Sequence, residues 1–162
     1  MAIDSGVFRK IIGNFATGVT VVTTANDGFL HGLTANSVTS VSLDPLLLLV
    51  CVDKKAHAHT ELERCSHFGV SILGADQVEV SNLFARPGEP EQGSLRGAAW
   101  HYGPGGTPLL DGALAWLECR LAERLAGGDH TIFIGEATGG EVTRPQAPPL
   151  LYFRGGYRGV AS

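Results

Sequence analysis

The chain has 162 residues, of which 44% are apolar and 17% charged, with a formal net charge of −4. That composition is too apolar for disorder, and residues 1–162 read as a single domain with a full core. The acidic balance and the lack of any Lys/Arg-rich run argue against nucleic acid, whose phosphates call for a basic face.

The longest strongly apolar run, Leu46 to Val52, is too short for a bilayer-spanning helix, so no membrane is expected. The N-terminus lacks the basic-then-apolar order of a secretory leader. Cys51, Cys65 and Cys119 are odd in number and form no CxxC pair. They read as reduced thiols in a cytoplasmic protein.

Apolar residues at 7, 8, 11, 12 and 15 form one helical stripe, capped by Asp4 or Ser5. Val19 to Thr24 is dense in β-branched residues and reads as a strand. Asn26-Asp27-Gly28 is a hairpin turn, with the return through His31 to Thr34. Ser37 to Ser42 alternates as a strand or strand edge, and Asp44-Pro45 breaks it. Leu46 to Val52 is apolar at every position, which predicts a central strand covered on both faces.

Ala56 to Arg64 and Gln77 to Ala85 read as short helices flanking a strand at Phe68 to Leu73. Arg86 to Pro108 is rich in Gly and Pro and reads as a long surface loop anchored by Trp100. Leu117, Cys119 and Leu121 alternate with Glu118, Arg120 and Ala122, a half-buried strand. A turn at Gly127-Gly128-Asp129 leads into a strand at Thr131 to Gly135. Leu150 to Phe153 is the last strand. Mostly antiparallel β-structure with frequent turns predicts a closed barrel.

Three segments carry more polarity than a plain barrel needs. Gly32 to Ser37, continued by Ser40 and Ser42, offers small hydroxyls and an amide. These suit an anionic or heterocyclic ligand, and equally suit turn and strand-edge chemistry. Lys54 to Thr60 opens a helix with Lys and His nearby, an anion site or a solvated helix start. His57 and His59 lack a third ligand, so no metal is expected. Gly128-Asp129-His130-Thr131 places a histidine at the start of a strand, as a cofactor contact or a satisfied turn residue. No GxSxG, HExxH, P-loop or GxGxxG is present.

Six stretches in order resemble the flavin reductase-like family of split-barrel flavoproteins, which includes the reductase components of two-component flavin-dependent monooxygenases. They are Phe15 to Thr23, Gly32 to Ser37, Ser40 to Pro45, Phe68 to Leu73, Gly128 to Ile132 and Tyr152 to Arg158. The resemblance implies a mainly β fold, a six-stranded antiparallel split barrel of Greek-key type. It also implies a homodimer with FMN or FAD bound near the interface and NADH or NADPH as hydride donor.

Carried over by residue, Thr34, Ala35, Asn36 and Ser37 would line the flavin, and Ser40, Val41 and Ser42 would continue that wall. Cys51, Val52 and Asp53 would run along it. Ala58 and His59 would face its phosphate, Arg86 its tail, and His130 the nicotinamide. Ala56 and Ala58 stand where the family often has Ser or Thr, and Gly93 to Trp100 departs from the family's loop pattern.

The implied activity is hydride transfer from the nicotinamide to the flavin, with no catalytic acid or base among the side chains. The reduced flavin would go to a monooxygenase component. Alternatives are a flavin-binding electron carrier without nicotinamide turnover, or a related split-barrel oxidase acting on another small molecule.

Overall fold

The computed structural model describes residues 2–161. Asp4 caps α1 (Ser5–Ile12), its Oδ1 accepting from Val7 N at 2.8 Å. No residue of α1 is buried. After β1 (Thr17–Gly18), β2 (Thr20–Asn26) and β3 (Phe29–Ala35) form the expected hairpin. Its two-residue turn places Asp27 at φ 52° and Gly28 at φ 82°, a left-handed pair that matches strand twist.

β4 (Val38–Leu43) and β5 (Leu46–Asp53) flank the cis Asp44-Pro45 bond. Then follow α2 (His57–Arg64), β6 (His67–Ile72) and α3 (Val78–Ala85). The stretch read as a loop contains β7 (Glu91–Gln92) and β8 (Trp100–Tyr102), and β8 pairs with β9 (Pro108–Leu110). Trp100 does anchor it, packing against the cluster that contains Leu95 and Leu110. The chain ends in β10 (Ala115–Gly127), β11 (His130–Val142), β12 (Leu151–Phe153) and β13 (Gly156–Arg158).

One eight-stranded sheet dominates, in the order β4-β5-β11-β10-β6-β2-β3-β7, with every pair antiparallel. It corrects the expectation of a closed six-stranded barrel, because β4 and β7 remain edges. The sheet still curls around one core. Val22, Val50, Phe68, Cys119 and Phe133 from five of its strands meet, plugged by Leu62 of α2. A second cluster, with Val21, Leu30, Leu73 and Phe84, packs α3 on the outside. At Gly32 a Cβ would come within 2.6 Å of the Phe84 ring, so α3 lies against bare backbone there.

Three further expectations are corrected. β5 is not covered on both faces: Leu48, Val50 and Val52 are buried, whereas Leu49 and Cys51 are half-exposed. β10 and β11 are each 13 residues long, because β10 pairs with β6 and β11 with β5 only through their first halves and each continues as an exposed half against the other. Glu118, read as solvent-facing, is buried, and its carboxylate accepts from Gly105 N at 2.9 Å and Thr107 N at 3.0 Å. Among the described residues no helix is long and apolar enough to cross a membrane, and no His/Cys/Asp/Glu cluster could hold a metal.

Candidate functional site

Alternation along β11 sends Thr131, Phe133 and Gly135 into the core and leaves His130, Ile132 and Ile134 on the other face. β5 pairs alongside, with Cys51 opposite Ile132 and Asp53 opposite His130. The start of β4 is bound to the same place. Cys51 N donates to Ser37 O at 3.0 Å, and Ser37 Oγ donates to Cys51 O at 3.0 Å. The outer face of β4-β5-β11 therefore presents Asn36, Ser37, Cys51 and His130 together.

Two segments wall this face. One is α1 and the turn after it, with Phe8, Ile12 and Phe15. The other is the C-terminal hairpin, with Tyr152 and Gly155. Arg154 joins them, its N donating to Gly13 O at 2.9 Å and its Nε to Asn14 Oδ1 at 2.8 Å. Between them lies a cavity of about 840 Å³.

His130 sits on a tight turn that Lys54 holds from both ends. Lys54 N donates to Asp129 O at 3.0 Å, and Lys54 Nζ to Gly128 O at 2.8 Å. The Asp129 carboxylate lies 2.7 Å from His130 Nδ1. That hydrogen bond holds the Asp129 carboxyl below the usual carboxylate range. Burial pushes the Cys51 thiol up, so it is a neutral small side chain and not a thiolate nucleophile.

The other expected residues lie elsewhere. Ser40 and Ser42 line a second, apolar cavity of about 360 Å³ with Leu43 and Leu46, and Val41 is exposed between them. Thr34 is half-buried and donates through Oγ1 to Ser81 O at 2.6 Å. The side chains of Ala35, Val52 and Ala58 are in the core, so these residues can offer a ligand only backbone. Asp53 is exposed and accepts from Lys55 N at 2.8 Å. His59 Nε2 is 2.7 Å from Thr131 Oγ1, and its ring stands edge-on to Phe133. Arg86 is exposed, and its carbonyl accepts from Arg96 Nη1 at 2.9 Å.

Sequence reasoning missed Phe8, Arg9, Ile12, Phe15, Thr17 and Tyr152 as cavity residues. The helical stripe at Phe8, Ile12 and Phe15 was visible, but a stripe does not reveal whether it meets a core or a cavity. Nothing local marks Thr17, whose buried Oγ1 has no hydrogen-bond partner.

The family model for the flavin reductase like domain matches residues 12–161. The chain belongs to the flavin reductase-like family. It is 39% identical over 153 residues to the reductase component of a 4-nitrophenol 4-monooxygenase/4-nitrocatechol 2-monooxygenase from Rhodococcus opacus, covering 94% of this chain and 80% of that one. Against two other curated relatives it spans about half their length, 48% and 47%.

Among solved structures, the flavin reductase component of a bacterial two-component tryptophan halogenase is 46% identical, with a TM-score of 0.88 over 98% of this chain and 99% of that one. The NADH:FAD oxidoreductase of Streptomyces globisporus, solved with NAD and FAD fragments, is 38% identical, with a TM-score of 0.87 over 99% and 97%.

The residues of this flavin reductase-like chain fit a flavin. The cavity is within the range of about 300–1,000 Å³ that small-molecule and cofactor sites occupy. Its aromatic walls, Phe8, Phe15 and Tyr152, suit a planar ring, and Asn36 and Ser37 suit a polar ring edge.

Proposed function

We propose that the chain is an NADH- or NADPH-dependent flavin reductase that supplies reduced FMN or FAD to a flavin-dependent monooxygenase. On this reading it is a single cytoplasmic domain over residues 1–162 and acts as a homodimer. The observation that carries the reading is the convergence of Asn36, Ser37, Cys51 and His130 on one cavity. When bound there, the flavin would supply the electron-accepting chemistry that no side chain of this chain has.

The chain's own residues bind and orient. Asn36, with main-chain N–H groups of the Thr34–Ser37 segment, donates to the polar ring edge, where negative charge gathers on reduction, and the Ser37 hydroxyl, which donates to Cys51 O, is left to accept. Cys51, Val52 and Asp53 run along the ring. Ser40 and Ser42, on the second cavity, Val41 between them, and Ala58, His59 and Arg86 lie away from this cavity and are assigned no contact with the cofactor. The Asp129 carboxylate accepts from His130 Nδ1, which leaves Nε2 to accept from the nicotinamide carboxamide. Holding the donor close and in line supplies the acceleration, so no acid or base is needed.

The dimer is supported by α1, which exposes Val7, Phe8, Ile11 and Ile12, and by Phe15 just beyond it, 71% exposed. The cytoplasm is supported by three free thiols.

The test is NADH or NADPH oxidation in air by the purified protein with added FMN or FAD. Oxidation that depends on added flavin is the expected outcome. A yellow protein that oxidises neither nucleotide would instead be an electron carrier. A monomer in gel filtration that still reduces flavin would remove the dimer.

A further inference from the structure

Among the described residues the cavity wall carries no Asp, Glu or Lys, and its one arginine is Arg9, on the last turn of α1 beside Phe8 and Ile12. This is unusual in a chain of net charge −4. Most arginines here are already engaged: Arg64 with Asp27, Arg120 with Glu136, Arg124 with Glu63, Arg144 with Asp76 and Arg154 with Asn14. Arg96 donates to the carbonyls of Leu83 and Arg86. Arg9 has no such partner among the described residues, although guanidinium groups pair readily with carboxylates and carbonyls.

A second observation points the same way. Thr17, which pairs with Tyr152 and lines the same cavity, keeps a buried hydroxyl with no partner. A guanidinium and an unsatisfied hydroxyl in a pocket with no carboxylate among its described lining complement an anionic group with several acceptor oxygens. A carboxylate and a phosphate can each accept from a guanidinium and a hydroxyl together, and in a nucleotide the group that does so is the phosphate.

We propose that Arg9 binds a phosphate group of the nucleotide that occupies this cavity. The proposal rests on the flavin reductase reading for the identity of that nucleotide. Two sources share the chemistry, the phosphate of the flavin and the diphosphate of the nicotinamide dinucleotide. Arg9 is a binding residue here and takes no part in the transfer itself.

The experiment compares the wild-type full chain with R9Q and R9K. Circular dichroism and gel filtration first check that fold and oligomeric state match. Dissociation constants are then measured by calorimetry for riboflavin, FMN and NAD⁺. R9Q is expected to weaken FMN or NAD⁺ about tenfold, the effect of losing one charge-assisted contact of about 1.4 kcal/mol. Riboflavin, which has no phosphate, should keep its affinity, and R9K should recover part of the loss.

A loss confined to FMN assigns the flavin phosphate, and a loss confined to NAD⁺ assigns the dinucleotide. Unchanged FMN and NAD⁺ affinity overturns the proposal. So does an equal loss for riboflavin, which would make Arg9 a support for α1. If the wild type binds no flavin and no NAD⁺, the functional reading fails separately, and inorganic pyrophosphate becomes the probe. Pyrophosphate binding by the wild type that R9Q loses then supports the anion site, and equal or absent binding in both overturns it.

Discussion

His59 and His130 approach β11 from opposite faces. His59 reaches in from α2, with Nε2 at 2.7 Å from the Thr131 hydroxyl, Glu63 at 3.7 Å and its ring edge on Phe133. His130, the residue next to Thr131, projects from the other face, with Asp129 on Nδ1 and the cavity before it. One histidine is bound into the fold and the other is available to a ligand. The whole strand divides the same way. Inward residues pack so closely that a Cβ on Gly135 would meet Phe68 Cζ at 2.5 Å, whereas the outer face carries a cavity.

The harshest test of that division is Phe133→Ala against Leu49→Ala. Phe133 is fully buried in the main core, and its truncation should cost about 3–5 kcal/mol in urea unfolding. Leu49 lines the open cavity and is half-exposed, so its truncation should cost about 1–2 kcal/mol. Equal losses would mean that the outer face is covered in solution as tightly as the inner one.

The histidines sharpen the comparison. His130→Ala should lower kcat/KM for the nicotinamide about tenfold or more, through KM, and leave unfolding within about 0.5 kcal/mol of wild type. If KM and kcat both stay unchanged, His130 does not position the nicotinamide. His59→Ala should do the reverse. It leaves the Thr131 hydroxyl unpaired in a buried place and should cost about 1–2 kcal/mol of stability. Flavin affinity should hold within about twofold, because His59 does not line the cavity.

How far the sequence could be read follows the same line. The hairpin turn at Asp27-Gly28, the three helices, and the β4–β5 break at Asp44-Pro45 were legible because each depends on local chemistry. Asn36, Ser37, Cys51 and His130 were named from the resemblance, and the register of β4, β5 and β11 brings them to one cavity. What stayed hidden depends on long-range pairing. Nothing near Glu118 in sequence announces that loop N–H groups at Gly105 and Thr107 will bury its carboxylate. Nothing near Arg9 announces a cavity, because the C-terminal hairpin builds the opposite wall. A stripe of apolar residues predicts a helix face without naming what the face meets, and in α1 it meets a cavity.

His31 supplies a third, buried case, with a smaller effect. Its Nε2 is 3.0 Å from Gly88 O, and burial lowers its pKa despite that bond. The unfolded chain therefore takes up a proton below about pH 6.5 that the folded chain resists. The fold is expected to lose stability as pH falls from about 6.5 towards the lowered value, and to keep His31's contribution whole above it. Urea midpoints for wild type and His31→Gln across pH 5–8 check this. A dependence just as steep in the variant would assign the titration to another group.

The smallest expected effect is the most pointed. Thr17→Val keeps the shape of the side chain and removes a buried hydroxyl that no protein group satisfies. An unsatisfied buried hydroxyl opposes folding, so stability should hold or rise by up to about 1 kcal/mol. Thr17 lines the cavity together with His130, so ligand affinity should fall by about threefold to tenfold even as the protein becomes no less stable. Stability and binding moving in opposite directions would mark the hydroxyl as held in reserve for a ligand, which is the property that separates this face of the sheet from the other. A loss of stability with unchanged affinity would place its partner inside the fold and put Thr17 with His59 instead.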